Sequence, residues 1–229
     1  MTEITLVLVC KRPASGTGKQ RLAASLGQET ANRVAEALLA CALEDVSDWS
    51  GPVIIAPAHS ADYAWAGALL PHKYPKVRVQ PQSDGNLGER LNVLDRELRG
   101  AGLEQLIYIG SDAPALAAAD YAAVTDALLG YDTILTPAED GGVVLMASCR
   151  PWTMLGGLPW STARLGAALA DHCRAAGQSV ATLTRNFDVD EQDDLLRVHT
   201  ALRMDSRPAR RALHTLACDL IQLKEADHV

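Results

Sequence analysis

The chain predicts an α/β protein, a single Rossmann-like domain whose mostly parallel sheet carries helices on both faces. Three observations lead there. Short apolar runs alternate with longer segments of helical period. The runs Ile4 to Cys10 and Leu106 to Ile109 are continuously apolar, as strands buried on both faces are. Hydrophobic residues make up 48% and charged residues 21% of 229 residues, enough apolar content for one large core.

The elements follow in order. Ile4 to Cys10 is the first strand. A loop precedes a helix from about Glu29 to Asp45, with Val34, Leu38, Ala42 and Val46 recurring at helical spacing. Val53-Ile54-Ile55-Ala56 is the second strand, and Ser60 is the expected cap of the next helix. Val77-Arg78-Val79 is a short strand. Leu87, Leu91, Leu94 and Leu98 mark one helix face, ending at Gly100 or Gly102. After the Leu106–Ile109 strand comes a helix through Tyr121, Val124 and Leu128. Thr133 to Leu135 and Val143 to Met146 flank Pro137 to Gly142, too short for a crossover helix, so that pair is expected to be antiparallel or irregular. Ser161 is expected to cap a helix running to about Ala175, and Val180 to Leu183 closes the sheet. Residues 1–203 form the expected domain. A charged break, Met204 to Arg211, leads into a helical extension, 204–229, with Leu213, Leu216, Leu220 and Leu223 on one seam. That seam can pack on its own domain or build a homodimer.

Composition narrows the partners. The net charge is -7 and no basic stretch is long enough for a nucleic-acid footprint. No apolar run reaches membrane-spanning length. The start, Met1-Thr2-Glu3, lacks the basic region and cleavage site of a secretory leader. Cys10, Cys41, Cys149, Cys173 and Cys218 are odd in number and contain no CxxC. They read as reduced thiols of a cytoplasmic protein, not as disulfides or a zinc site, and the six histidines show no metal-binding spacing.

The chemistry concentrates at strand ends. Gly110-Ser111-Asp112-Ala113-Pro114 follows one strand, and Phe187-Asp188-Val189-Asp190 follows the last. Ligands of open parallel sheets bind at the carboxyl edge. Two carboxylates from distant segments meeting there, Asp112 and Asp190, suit a hard cation such as Mg²⁺ or Mn²⁺. The loop after the first strand, Ala14 to Leu22, is neither a P-loop nor a dinucleotide fingerprint. Pro13 stands at the first P-loop glycine, Gln20 carries no hydroxyl for magnesium, and Arg21 stands where a third glycine is needed. Gly16 and Gly18 still let backbone amides approach an anion, and Lys19 and Arg21 can reach phosphate oxygens. The alternative is a solvated turn with incidental charge.

Six segments then occur in a known order: Pro13-x-x-Gly16-x-x-Lys19-x-Arg21-Leu22, Asn86-Leu87-Gly88-Glu89-Arg90-Leu91, Gly110-Ser111-Asp112-x-Pro114, Pro137-Ala138-Glu139-Asp140-Gly141-Gly142, Pro159-Trp160-Ser161-Thr162 and Asp188-Val189-Asp190-x-x-Asp193-Asp194-Leu195. Over residues 4–200 the chain resembles the DUF2064 family of transferases, sometimes labelled arsenosugar-biosynthesis glycosyltransferases. That family belongs to the GT-A-like nucleotide-diphospho-sugar transferase superfamily. More distantly the chain is similar to the 2-phospholactate and molybdenum cofactor guanylyltransferases. The resemblance implies a GT-A fold with Asp112 and Asp190 on the metal, and Asp188 beside them. It places Lys19 and Arg21 in the phosphate-binding loop, with Pro13, Gly16, Gly18 and Ser111 also on the nucleotide. Gly85, Asn86 and Gly88 lie near the base, and Glu139, Asp140, Gly141, Gly142, Trp160, Ser161 and Thr162 face the acceptor or sugar. Gln20, Ser15, Ala113 and Val143-Val144 depart from the family pattern, and the last change points to a different acceptor pocket.

Each residue has a plainer alternative. Asp112 can be a turn aspartate, Asp190 a helix cap, and Glu139 to Gly142 a tight hairpin. Trp160 can be a helix-start staple, and Glu89-Arg90 an exposed pair. The expected function is metal-dependent nucleotidylyl transfer from a nucleoside triphosphate to a small phosphorylated or anionic acceptor. Here Lys19, Arg21 and Asp112 would act mainly by positioning and charge neutralisation. The second reading is glycosyl transfer from an NDP-sugar with Asp140 or Glu139 as base. The third is a nucleotide-binding module without catalysis.

Overall fold

A computed structural model describes residues 3–13, 18–70 and 76–226. The elements run β1 (Ile4–Cys10), α1 (Gln20–Leu26), α2 (Gln28–Asp48), β2 (Val53–Pro57), a 3₁₀ turn (Ser60–Asp62), α3 (Tyr63–Gly67), β3 (Val77–Val79), α4 (Leu87–Gly100), β4 (Gln105–Ile109) and α5 (Ala118–Ala127). They continue with β5 (Thr133–Pro137), β6 (Val143–Ser148), α6 (Leu165–Ala175), β7 (Val180–Thr182), α7 (Asp194–Ala201) and α8 (Pro208–Ala226).

One seven-stranded sheet runs in the order β3-β2-β1-β4-β6-β5-β7. β3–β2, β2–β1, β1–β4 and β5–β7 pair in parallel, whereas β6 runs antiparallel to both neighbours. The five residues between β5 and β6 allow only a tight reversal, which the register shift at Thr136/Pro137 accommodates.

Strand alternation sends side chains to opposite faces. Leu6, Leu8, Ile55, Ile107 and Ile109 pack with Leu39, Val46, Tyr121 and Val124 on one face. Val7, Ile54, Leu106, Tyr108 and Met146 pack with Leu91, Leu94, Leu98 and Leu169 on the other. A third cluster joins Leu22, Val34, Leu38, Phe187, Val189, Leu195, Leu213, Ala217 and Leu220. The α2 stripe seen in the sequence is therefore divided. Ala42 and Val46 meet the sheet layer, while Val34 and Leu38 meet α7 and α8.

The α8 seam lies on its own chain, with Leu213 and Leu220 buried and Leu223 62% exposed. Arg210 fastens it. Its Nη2 donates to both Asp45 carboxylate oxygens at 2.7 Å, and its Nη1 donates to the Cys41 carbonyl and to Glu44. Arg207 and the Tyr121 hydroxyl also donate to Asp45. A second buried carboxylate, Asp95, accepts from Arg99, the Tyr108 hydroxyl and the Trp152 amide, tying α4 to the sheet.

Two helix starts differ from expectation. Ser60 is the first residue of the 3₁₀ turn rather than its cap; His59 holds the cap position and makes no side-chain cap bond. α6 begins at Leu165 after Arg164, so Ser161 does not cap it. Ser161 instead sits at φ 60° in the preceding loop.

Candidate functional site

A cavity of about 630 Å³ opens at the carboxyl ends of β1 and β4. That is the edge where open α/β sheets bind ligands, and the volume suits a nucleotide-sized molecule. Lys11 to Pro13 leave β1 at this edge, and Gly110 to Asp112 leave β4. The segment after β7 then crosses the edge. Asn186 bridges to Ala138 beside β5, and the Val189 amide donates to the Asp112 carbonyl at 2.9 Å. Phe187 and Val189 are buried in the third cluster, so alternation turns Asp188 and Asp190 the other way, into the cavity wall. β7 itself is a half-buried edge strand, and the acidic run begins six residues beyond Thr182.

The carboxylates converge on a cation, and the cation is Lys19. Its Nζ donates to Val189 O at 2.6 Å, Asp190 Oδ1 at 2.8 Å and Asp112 Oδ2 at 3.3 Å. Burial alone would lower the lysine pKa, but the two carboxylates outweigh it and raise the value, keeping the ammonium charged. Three oxygens gathered around a positive charge form a donor set that fits Mg²⁺ or Mn²⁺, both oxygen-seeking ions. Asp190 is thus not a helix cap. The cap position of α7 is Asp193, without a side-chain cap bond, and the Asp194 carboxylate instead accepts from the amides of Asp190 and Glu191 just before the helix.

Asp188 adds a further acid. Burial, then the neighbouring charges of Asp112, Asp140 and Asp190, push its carboxyl up to about 7. Asp140 lines the cavity from the β5–β6 turn, where its Oδ1 accepts from the Gly142 amide at 2.8 Å. Gly141 in that turn has φ 91°, and a side chain there would strike the Ala163 carbonyl.

Pro13, Gly18, Lys19, Arg21, Ser111, Asp112, Asp140, Gly142, Trp160, Ser161, Thr162 and Asp190 all line the one cavity. Gly16 lies outside the described residues. Five expected residues do not line it. Glu139 pairs outward with Arg197 at 3.5 Å. Asn86 caps α4 in a reciprocal box with Glu89 and donates to the Gly156 carbonyl. Gly88 is where the Leu155 carbonyl and the Trp160 indole press on α4, leaving no room for a side chain. Gly85 and Gly141 serve the backbone at φ 113° and 91°. Trp160 donates from its indole to Leu155 O at 2.8 Å while flanking the cavity.

Sequence reasoning reads Arg90 as half of an exposed pair and passes over Gln82. Both line the cavity, and among the described residues Arg90 Nε and Gln82 Oε1 are buried without a hydrogen-bond partner. Burial lowers the Arg90 pKa. Neither carries a signal in sequence, because a half-buried arginine at a helix start looks like any surface arginine. Lys19 (φ 47°) and Ser161 (φ 60°) are the non-glycine residues at positive φ among the described residues, and both line the cavity. Such backbone outliers gather at functional sites.

The profile of a bacterial family described as an uncharacterized protein conserved in bacteria, DUF2064, matches residues 38–162. The chain belongs to that family. No curated protein matches the chain in sequence. Among solved structures it is similar to a candidate nucleotide-diphospho-sugar transferase from Desulfovibrio desulfuricans G20, with TM-score 0.85 and 22% identity over 97% of this chain and 98% of that one. It is also similar to 4-diphosphocytidyl-2C-methyl-D-erythritol synthase from Anaerococcus prevotii DSM 20548, with TM-score 0.54 and 11% identity over 88% and 99%. At these identities the likeness establishes the nucleotide-transferase type of fold.

Proposed function

We propose that this chain is a metal-dependent nucleotidylyltransferase acting on a nucleoside triphosphate and a small phosphorylated or anionic acceptor. The observation that carries the reading is the meeting of Lys19 with Asp112 and Asp190 at the mouth of one open cavity. Asp112 and Asp190 would hold Mg²⁺ or Mn²⁺, which supplies charge neutralisation at the phosphates when bound. Lys19 and Arg21 bind the triphosphate, Arg21 from the first turn of α1. Ser111 and Gly18 border the phosphates, and Trp160 to Thr162 close the opposite wall. The acceptor oxygen attacks the α-phosphorus, the bond to the β-phosphate oxygen breaks, and pyrophosphate leaves with that electron pair. Positioning and charge carry such a reaction, so no side-chain nucleophile is required.

Glycosyl transfer from an NDP-sugar is the second reading. The name of the Desulfovibrio structure favours it, with Asp140 in the cavity wall as the base for an acceptor hydroxyl. A calorimetric and thermal-shift panel with Mg²⁺ or Mn²⁺, four NTPs, their NDPs, and UDP- and GDP-sugars separates the two. Metal-dependent binding of one NTP above the sugar nucleotides is expected, since a ligand that binds only the folded state raises its apparent stability. The reverse preference sinks nucleotidylyl transfer and names the sugar donor.

A further inference from the structure

We propose a second metal site, for a zinc-class ion, between α7 and α8. His199 comes from α7, and His214 and Cys218 come from α8 one helical turn apart. One ligand atom from each lies within 4.8 Å of the others. The two imidazoles stack with centroids 5.1 Å apart and planes 18° from parallel. Cys218 Sγ is 3.8 Å from His214 Nδ1 and 4.0 Å from Nε2.

Two imidazole nitrogens and a thiolate are the donors that borderline ions prefer over magnesium or manganese. In a tetrahedral zinc site, bond lengths of about 2.3 Å to sulfur and about 2.0–2.1 Å to nitrogen place ligand atoms about 3.5 Å apart. The 3.8 Å between Cys218 Sγ and His214 Nδ1 is near that spacing, and the stacked rings have to turn from parallel for both to face one ion. The nearly equal distances from Sγ to both His214 nitrogens mean that the ring must turn to aim one of them at the ion. That torsion is soft, because rotation about a histidine χ2 has broad wells. Water is the natural fourth ligand, since His199 is exposed and the other two are half-buried.

The site is separate from the carboxylate cluster in chemistry and in place. It would pin α7 to α8, and α7 opens with Asp194, whose carboxylate holds the backbone of Asp190 and Glu191. Binding replaces the thiol proton of Cys218, which passes to solvent, with a metal–sulfur bond.

Co²⁺ titrated into the full-length chain at fixed pH, followed by absorption, tests this. Expected are a near-ultraviolet thiolate-to-cobalt band and the visible bands of a four-coordinate ion, displaced by one equivalent of Zn²⁺. Cys218→Ser should abolish the charge-transfer band, and Cys149→Ser should leave it. His199→Ala, at an exposed position, should weaken binding roughly tenfold or more. Zn²⁺ should raise the thermal midpoint of the wild type and not of Cys218→Ser. Absence of a thiolate band, its persistence in Cys218→Ser, or unchanged affinity in His199→Ala overturns the site.

Discussion

Lys19 stands where a divalent cation bound by Asp112 and Asp190 would stand. Ammonium and metal ion are like charges that compete for these three oxygens, so on the proposed function Lys19 would give them up as metal and triphosphate bind. Lys19→Met is therefore expected to shift two affinities in opposite directions. Mn²⁺ alone should bind more tightly, because a competing cation is gone. The metal–NTP complex should bind about ten- to a hundredfold more weakly, as the loss of a charge-assisted bond of about 1.5–3 kcal/mol implies. Calorimetry reads both, and parallel shifts would refute the exchange. Asp112→Asn should remove metal-dependent nucleotide binding while leaving the fold intact, as circular dichroism can check. A pH effect belongs to Asp132. Two hydrogen bonds from Ser179, through its amide and then its hydroxyl, with help from Arg150, hold its carboxyl down to about 2. Its unfolded value is about 3.9. A depressed carboxylate contributes stability above the unfolded value and loses it as pH falls through the folded one. The stability gap between wild type and Asp132→Asn should accordingly be steady above pH 5 and shrink between about 4 and 2. Urea denaturation along that range measures it.

At the scale of elements, α4 is set by contacts that resemble ligand contacts in sequence. Asn86 and Glu89 complete a capping box, and Gly88 admits the Leu155 carbonyl and the Trp160 ring. Gly88→Ala should destabilise the protein by about 1–3 kcal/mol through overpacking, read as a lowered denaturation midpoint with unchanged slope. No loss means that the Trp160 loop shifts freely. The same elements show how far a short motif carries. Asn86-Leu87-Gly88 marks a helix start plainly enough, because capping is a local interaction. That Asn86 and Gly88 meet the 152–160 segment while Leu87 lines the cavity depends on where that segment packs, which no local pattern encodes.

For the whole molecule, the C-terminal helix is joined to the rest by a buried ionic network as well as by leucines. Arg210 and Arg207 meet Asp45, whose carboxyl burial pushes up against the pull of Arg210. Breaking a buried pair strands its charge. Arg210→Met should cost toward the lower end of about 3–5 kcal/mol, since Arg207 and Tyr121 remain on Asp45. Adding Asp45→Asn should recover part of the loss. If the single variant is neutral, α8 is held by apolar contacts alone. The expected boundary at residue 203 separates two parts that share the third core cluster, so we propose that 204–226 folds with the preceding residues.

By itself the sequence determined the α/β class, a β5–β6 connection too short for a crossover helix and the acidic segment that follows β4. Each rests on interactions among residues close in the chain: apolar runs, short connections, turn residues. Only the tertiary structure decided that Lys19 fills the space between Asp112 and Asp190, that Arg90 and Gln82 line the same cavity, and that Glu139 turns away from it. It also brought His199 of α7 beside His214 and Cys218 of α8. The widest of these juxtapositions, Lys19 with Asp190, spans 171 positions, and their geometry follows from strand order and helix packing, which no local spacing contains.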